Sequence, residues 1–283
     1  LQDFERKVEA GDQPLLILNL PPGTGKSELA SRHFPPWLLG RHPDWHIGLL
    51  SYGAPLAEEL SADARKIVMS PEYAQIFGVT YQQEKDSTVE LDRTAKRIDH
   101  WRIKGHRGGL TAVGLEGAVT GRRFNIGLID DPTKGRKEAD SKHARDEQSD
   151  FFFGTFYDRM EPISGILIIG HRWTIDDLPG RLIEQMGLVA DGGKCEVLAV
   201  PAEAEPFGTD PLGRAPGEFL EARYSADRLR DFKEHLPPRD WDAKFQQRPS
   251  PPEGQIFRPY EMFRFAPPPT EEDGGEWKGP RFG

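Results

Sequence analysis

The stretch Leu15-Leu-Ile-Leu-Asn-Leu-Pro-Pro-Gly-Thr-Gly-Lys-Ser27 decides the fold of this chain. Its apolar run, Leu15 to Leu20, predicts a buried strand, and the Pro/Gly segment that follows predicts a tight loop. Ser27 and the helix-forming residues after it predict the start of a helix. Backbone N–H groups at such a strand–loop–helix junction point at anions and bind phosphate. The segment therefore predicts a loop that holds a nucleoside triphosphate.

The residues of this loop have separate expected roles. Lys26 is placed to reach the β- and γ-phosphate oxygens, and the Ser27 hydroxyl is placed to ligate Mg²⁺. The common phosphate-loop pattern begins with glycine, whereas Leu20 stands there, so Pro21-Pro22-Gly23 must make the turn. The alternative is a chance Gly-Lys-Ser at a helix start. We expect ATP and Mg²⁺ as ligands, with nucleotide contacts from Pro22, Gly23, Thr24, Gly25, Lys26, Ser27 and Glu28.

The charge of the 283-residue chain is uneven although its net value is −9. Between Arg93 and Arg145 there are 13 Lys/Arg against 6 Asp/Glu, while the remainder holds 24 basic against 40 acidic residues. This balance does not suit a static DNA binder of high affinity, but one basic face can hold a polyanion transiently. The alternative is a solvated surface with scattered charge.

The composition argues against a protein that spans a membrane and against one held together by disulfides. No apolar run approaches the roughly 20 residues that span a bilayer, so no membrane association is expected. The single cysteine, Cys195, cannot form an internal disulfide, and a reducing compartment is expected.

Strands and helices alternate along the chain. Apolar runs predict strands at 47–51, 124–129, 166–169 and 195–200, and helical spacing predicts helices at 27–39, 55–70, 138–153 and 175–186. The helix at 27–39 is expected to be interrupted by Pro35-Pro36. Residues 76–118 are expected to form short strands and turns. The pattern predicts an α/β fold with a mainly parallel sheet flanked by helices.

The domain plan follows changes in composition. We expect residues 1–200 to form the ATPase core and residues 201–265 a small C-terminal subdomain, with helices at 224–236 and 239–247. Residues 266–283 are rich in Pro, Gly and acidic residues, and are expected to be a flexible linker.

A second motif, Leu128-Ile129-Asp130-Asp131-Pro132, places two carboxylates at the end of a predicted strand. Together with Lys26 and Ser27 it predicts that Asp130 holds Mg²⁺ and that Asp131 polarises the attacking water. The alternative is that Asp-Asp-Pro only caps the next turn. Asp131 has a shorter reach than the glutamate often used as base, and Glu138 is the next candidate.

The order of the motifs resembles the ATPase half of the large terminase subunit of tailed bacteriophages. Six stretches carry this resemblance, and together they run from about residue 15 to 265. They are Pro21-Pro-Gly-Thr-Gly-Lys-Ser-Glu28; Gly40-Arg-His-Pro-Asp44 leading to Ser51-Tyr52; Thr120-Gly-Arg122; Ile129-Asp-Asp-Pro132 with Glu138-Ala-Asp-Ser141; Gly170-His-Arg-Trp173 with Asp176-Asp-Leu-Pro-Gly-Arg181; and Asp240-Trp241 with Gln246-Gln247-Arg-Pro249.

The resemblance implies a P-loop ATPase of the RecA/ASCE-like type with a small C-terminal linker subdomain. It implies an ATP-hydrolysing motor that moves double-stranded DNA into a procapsid in the host cell cytoplasm. The implied partners are the portal protein, the small terminase subunit and further copies in a ring, usually a pentamer. Large terminases continue into a nuclease domain. Since the chain ends at Gly283 and Glu271, Glu272 and Asp273 fit a solvated linker, no nuclease activity is expected from it.

Several further residues are candidates for the mechanism. His171 follows a predicted strand where related motors carry a sensor of the γ-phosphate, although a structural histidine is an equal alternative. Trp173 is expected to pack rather than to stack on a base. A ring ATPase needs an arginine from a neighbouring subunit, and Arg122 is the first candidate, with Arg123 beside it and Arg107 as the next. A plain surface role is the alternative for each arginine.

Two other functions remain open from the sequence. A helicase-like or repair ATPase would need a second RecA-like domain, for which the chain is too short. A nucleotide-binding assembly module would bind ATP without turnover. ATPase assays with and without DNA and procapsids discriminate among these functions.

Overall fold

The computed structural model describes residues 1–80, 97–115, 117, 119, 121–206 and 210–250. Thr120 and the predicted linker 266–283 lie outside the described residues. The strands are β1 Leu15–Asn19, β2 His46–Ser51, β3 His100–Arg102, β4 Gly109–Gly114, β5 Phe124–Asp130, β6 Met160–Gly170 and β7 Cys195–Ala199. The α-helices are α1 Gln2–Glu9, α2 Phe34–Arg41, α3 Ala54–Val68, α4 Pro71–Thr80, α5 Arg136–Asp140, α6 Lys142–Phe151, α7 Leu178–Met186, α8 Ala226–His235 and α9 Pro238–Asp240. Shorter helical turns cover Glu28–His33, Phe152–Phe156, Tyr157–Arg159, Val189–Asp191 and Trp241–Phe245.

The seven strands form one sheet in the order β3-β4-β2-β5-β6-β1-β7. Every neighbouring pair is parallel except β3 and β4, which are antiparallel. β6 lies between β1 and β5, which carry the two phosphate-site motifs. The predicted α/β fold of the P-loop type, a mainly parallel sheet flanked by helices, is confirmed.

The core has two layers because successive residues of a strand point to opposite faces of the sheet. In β6, Leu167 and Ile169 pack with α1 to α4, while Ile168 packs on the other face. That second face is covered by the aromatic segment around Phe152 and by α7. Burial on both faces explains why these strands read as continuous apolar runs.

The structure differs from the sequence-based elements at three places. α1 and α4 were not predicted, and α4 covers part of the segment 76–118 that was expected to hold strands and turns. Pro35 and Pro36 lie in the first turn of α2, directly after the helical turn Glu28–His33, and they do not break the helical run. The predicted helix 138–153 is divided at Ser141, whose hydroxyl caps α6.

Residues 201–250 build a separate small cluster of buried side chains. Leu229 of α8 packs there with Trp241 and Phe245, whose rings stack at 4.9 Å. The division at residue 200 and the limit at 265 stay predictions. Within the described part of the chain, none of the helices combines the length and apolarity that crossing a membrane requires.

Candidate nucleotide-binding site

Three segments meet at the carboxyl-terminal edge of the sheet. The strand register pairs Asn19 at the end of β1 with Gly170 at the end of β6, and Ile169 with Asp130 at the end of β5. The phosphate loop, the Asp130-Asp131 pair and His171 each follow one of these strands directly. Ligands of open α/β sheets bind at this edge, so the topology brings the predicted site residues together.

The phosphate loop turns through two glycines with positive φ. Gly23 has φ +78° and Gly25 has φ +80°, a conformation that side chains strongly disfavour. A Cβ at Gly23 would also lie 2.6 Å from the ring of Tyr224. The Thr24 hydroxyl donates to the Pro21 carbonyl at 2.9 Å, which closes the turn after Pro22. Helical structure begins at Lys26, so the strand, loop and helix follow as predicted.

Asp130 is buried and accepts two hydroxyl hydrogen bonds. The Ser27 hydroxyl donates to Oδ1 at 3.0 Å, and the Ser31 hydroxyl donates to Oδ2 at 2.6 Å. Burial and the neighbouring Asp131 carboxylate raise the pKa of Asp130 to about 6. A buried carboxylate with this pKa gains from a nearby cation.

The pair Ser27 and Asp130 fits a magnesium ion. Adjacent oxygen ligands of octahedral Mg²⁺ lie about 3.0 Å apart when each is about 2.1 Å from the ion. The 3.0 Å between Ser27 Oγ and Asp130 Oδ1 matches that separation. These two predicted metal ligands could therefore occupy neighbouring positions on one ion.

Asp131 projects toward a different set of groups from Asp130. Its Oδ2 lies 3.5 Å from Lys26 Nζ, and its Oδ1 lies 3.7 Å from His171 Nδ1. Its φ of +43° is unusual for a residue before proline. Its backbone N–H donates to the Ile169 carbonyl at 2.9 Å, and its carbonyl accepts from Tyr52 at 3.3 Å. The strained turn therefore fixes a carboxylate beside the phosphate loop.

His171 has no hydrogen-bond partner among the described residues, although both of its ring nitrogens are buried. Burial and the positive charges of Lys26, Lys244 and Arg136 lower its pKa to about 3. A neutral imidazole can donate through one nitrogen and accept through the other. Asn19 Nδ2 and Ser51 Oγ are likewise buried without partners in the described part of the chain. Such orphaned groups at one edge mark a place where a polar ligand or water can bind.

Trp173 supports two cations rather than lying free for a base. The guanidinium of Arg136 is 5.1 Å from the ring centroid and Lys244 Nζ is 5.3 Å from it. The imidazole of His171 lies against the same ring, with centroids 4.7 Å apart. The geometry agrees with the predicted packing role.

The loop after β6 is held in place by Asp177. Its buried carboxylate accepts from the backbone N–H groups of Trp173 at 2.9 Å, Thr174 at 3.4 Å and Gly180 at 3.1 Å. It also pairs with the Arg172 guanidinium at 2.8 Å. This carboxylate caps the N-terminus of α7 and also fixes the loop backbone that follows His171.

The candidate arginines lie away from this site. Arg122 precedes β5, so it is at the amino-terminal edge of the sheet, roughly 25 Å from Asp130 along the strand. Its guanidinium donates to the Thr111 hydroxyl at 2.9 Å. Arg107, Arg122 and Arg123 line one cavity of about 820 Å³ together with Arg102. None of them can act on a nucleotide bound to its own chain.

Two other predicted residues have contacts of their own. The exposed carboxylate of Glu28 pairs with Arg32 at 3.3 Å, so its side chain is engaged on the helix surface. Glu138, the alternative base, accepts from Gln148 at 2.8 Å, and Gln148 also donates to the Pro132 carbonyl at 3.0 Å.

Sequence reasoning missed three residues that reach the site. Ser31 lies one helical turn after Ser27, and that spacing could have shown that both hydroxyls face the same way. Tyr224 lies against Gly23, and Gln247 accepts from the Arg172 N–H at 3.1 Å. These last two come from the C-terminal part of the chain. Gln247 stands in one of the stretches that carry the family resemblance, but no local pattern assigned either residue to the site.

Comparison with known proteins adds the family. Residues 17–149 match the family described as terminase large subunit, T4likevirus-type, N-terminal. Residues 17–149 belong to the terminase large-subunit family. The family expected from the sequence motifs is therefore confirmed. No curated protein matches the chain.

The terminase fold is also seen in solved structures. The large terminase of bacteriophage HK97 is 15% identical, with a TM-score of 0.57 over 87% of this chain and 50% of that chain. The large terminase of a thermophilic bacteriophage, in complex with ATP-gamma-S, is 7% identical, with a TM-score of 0.43 over 86% of this chain and 51% of that chain. The chain thus spans about half the length of these terminases. The HK97 likeness supports the terminase fold.

Proposed function

We propose that this chain is the ATPase of a viral DNA-packaging motor, which hydrolyses ATP to translocate double-stranded DNA into a procapsid. The observation that carries this proposal is the meeting of three strand ends at one site. There Ser27 contacts Asp130, and Lys26 and His171 flank Asp131. Terminase family membership of residues 17–149 supports the same motor.

Each residue has a role in this reaction. The backbone of Pro22 to Glu28 binds the phosphates, and Lys26 neutralises the β- and γ-phosphate oxygens. Ser27 and Asp130 would hold Mg²⁺, which supplies charge neutralisation between the phosphates. Asp131 orients the attacking water, and neutral His171 fixes that water or the carboxylate through a hydrogen bond.

The motor is proposed to work as a ring of copies, a pentamer on the portal, in the host cell cytoplasm. Residues 1–200 form its ATPase core and residues 201–265 its small subdomain, with the small terminase subunit as a further partner. Because Arg122 lies at the opposite edge of the sheet from Asp131, it can serve only a neighbouring subunit. Arg123 and Arg107 line the same cavity and are the alternatives.

Loss of the Lys26 ammonium group tests the ATPase. We expect Lys26→Ala to reduce ATP turnover by about 100-fold or more, because an electrostatic stabiliser of the transition state is removed. Turnover is measured with Mg²⁺ and DNA, with and without procapsids. Since the Lys26 side chain is only 9% exposed, melting temperatures must show that the variant folds.

Lys66→Ala is the matched control for this test, because Lys66 lies 76% exposed on α3. It should hydrolyse ATP like the unaltered chain. A folded Lys26→Ala protein that turns over at the normal rate would exclude hydrolysis at this loop. Nucleotide binding without turnover by the unaltered chain, even with procapsids and DNA, would instead favour an assembly module.

A further inference from the structure

Two cations from different parts of the chain meet at Trp173. Arg136 belongs to α5, while Lys244 belongs to the helical turn Trp241–Phe245 in the C-terminal part. Both lie over the Trp173 ring, at 5.1 and 5.3 Å from its centroid, and Arg136 also donates to the Trp173 carbonyl at 3.3 Å. The aromatic ring therefore places two positive charges beside the loop that follows β6.

A continuous series of contacts links these cations to the phosphate loop. Lys26 is 3.5 Å from Asp131, and Asp131 is 3.7 Å from His171. His171 packs on Trp173 with ring centroids 4.7 Å apart. In the proposed reaction, the terminal phosphate lies beside Lys26 and Asp131. Arg136 and Lys244 are thus on the side of the site where the γ-phosphate adds its charge.

The local charge balance leaves this cluster positive. Asp240 accepts from Arg136 and lies 3.7 Å from Lys244, so a single carboxylate is shared by two cations. A second carboxylate, Asp140, lies 3.6 Å from Arg136 and 2.5 Å from Arg239. Among the described residues, these contacts join three cations to two anions, which leaves a surplus of one positive charge. The side chains of Arg136 and Lys244 are 27% and 20% exposed, so solvent screens their charge only in part.

We propose that Arg136 and Lys244, held on Trp173, make the site prefer a nucleoside triphosphate over a diphosphate, and so let the C-terminal part of the chain sense the terminal phosphate. This inference rests on the proposed ATP site. The two residues act at a distance, through the positive charge they place on the Trp173 side of the site, with Asp240 as the anion that competes for them. They are positioning residues in the same chain, distinct from an arginine of a neighbour.

The test compares two affinities of the purified full chain. The ratio measured is the affinity for a triphosphate analogue divided by the affinity for ADP. Binding of a non-hydrolysable ATP analogue with Mg²⁺ and of ADP with Mg²⁺ is measured by calorimetry at fixed ionic strength. We expect Lys244→Gln and Arg136→Gln each to weaken the triphosphate analogue about tenfold relative to ADP. Lys244→Arg should restore the ratio because it keeps the charge on Trp173. Asp240→Asn should raise the ratio, since it removes the competing anion.

Lys233→Gln is the matched control, because Lys233 is a cation of α8 in the same part of the chain but pairs with Glu203. It should leave the ratio unchanged. A purely structural role for Lys244 and Arg136 would weaken both nucleotides equally, so an unchanged ratio in both variants overturns the proposal. A lower ratio in Asp240→Asn, or a control as affected as Lys244→Gln, also overturns it.

The two proposals fail in different ways. If the unaltered chain binds neither nucleotide, the ATP site is wrong and this inference falls with it. Suppose instead that the unaltered chain binds both nucleotides and that Lys26→Ala abolishes binding or turnover. If the Lys244 and Arg136 variants then keep the normal ratio, only this inference is wrong.

Discussion

At the scale of single residues, Asp130 and Asp131 are neighbours with different surroundings. Asp130 is 1% exposed and is bound by Ser27 and Ser31, whereas the side chain of Asp131 is 27% exposed between Lys26 and His171. The positive φ of Asp131 turns the backbone between them, so the two carboxylates diverge. This separation suits the proposed roles of Asp130 as a metal ligand and of Asp131 as a water-orienting group.

The raised pKa of Asp130 predicts a stability cost for the ligand-free protein. Its protonated form stabilises the fold below the unfolded pKa of 3.8, and this contribution is lost as the pH rises through about 6. Asp130→Asn keeps a neutral side chain of the same shape. We expect the variant to be more stable than the unaltered chain above pH 6, by up to about 3 kcal/mol, with the difference shrinking toward pH 4.

Urea denaturation from pH 4 to 8 without Mg²⁺ measures this difference. In the presence of nucleotide, Mg²⁺ should stabilise the unaltered chain. It should have little effect on Asp130→Asn, because that variant lacks the carboxylate proposed to hold the ion. Equal stabilities at every pH would contradict the raised pKa of Asp130.

At the scale of elements, the segment between β6 and α7 is an ordered loop with one central anchor. Asp177 accepts from three backbone N–H groups and from Arg172. The Gln247 side chain also accepts from the Arg172 N–H, so the C-terminal part of the chain contacts this loop. His171 owes its place beside Asp131 to these contacts.

Truncating this anchor should destabilise the protein strongly. Asp177→Ala removes a helix cap and leaves the nearly buried Arg172 without its carboxylate, so we expect a loss of about 3 kcal/mol or more. Chemical denaturation measures the loss. Asp227→Ala is the control, since Asp227 is 92% exposed and its pair with Arg230 is at the surface; a loss below about 0.5 kcal/mol is expected there. A similar small loss for Asp177→Ala would mean that the loop is held by other contacts.

At the scale of the whole molecule, the candidate site residues lie at two opposite edges of the mainly parallel sheet. The phosphate loop and both carboxylates lie at its carboxyl-terminal edge, while the arginine-lined cavity lies at the amino-terminal edge. In a ring, the amino-terminal edge of one subunit can face the nucleotide of the next. This arrangement makes the proposed trans role of Arg122 testable by mixing subunits.

Mixing Arg122→Ala with Asp131→Asn subunits should restore part of the ATP turnover that each variant lacks. Loss of a trans arginine leaves transition-state charge uncompensated, which costs about 10³-fold in rate. A mixed interface can join one intact Arg122 to one intact Asp131. Turnover is measured on procapsids over a range of subunit ratios. If no mixture recovers activity while the unaltered chain assembles and turns over, Arg122 has no trans role, and Arg123 and Arg107 are tested next.

The sequence by itself determined the phosphate loop, the strand that ends at Asp130 and the α/β class, because each is a local pattern of apolar spacing and turn residues. The short helices α1 and α4 were not predicted, because their apolar faces are defined by tertiary packing, of α1 on β6 and of α4 on α2. Local pattern also indicated the terminase family, through the order of its motifs.

The tertiary structure alone decided which residues share the site. Ser31 meets Asp130 across 99 positions of sequence, and Gln247 meets Arg172 across 75. The insertion of β6 between β1 and β5 likewise depends on long-range strand pairing. Such contacts are selected by the packing of the whole sheet and its helices, which no window of local sequence contains. The sequence already put Arg122 and Asp131 at opposite ends of one predicted strand, but only the folded sheet showed that Arg107 lines the same cavity as Arg122.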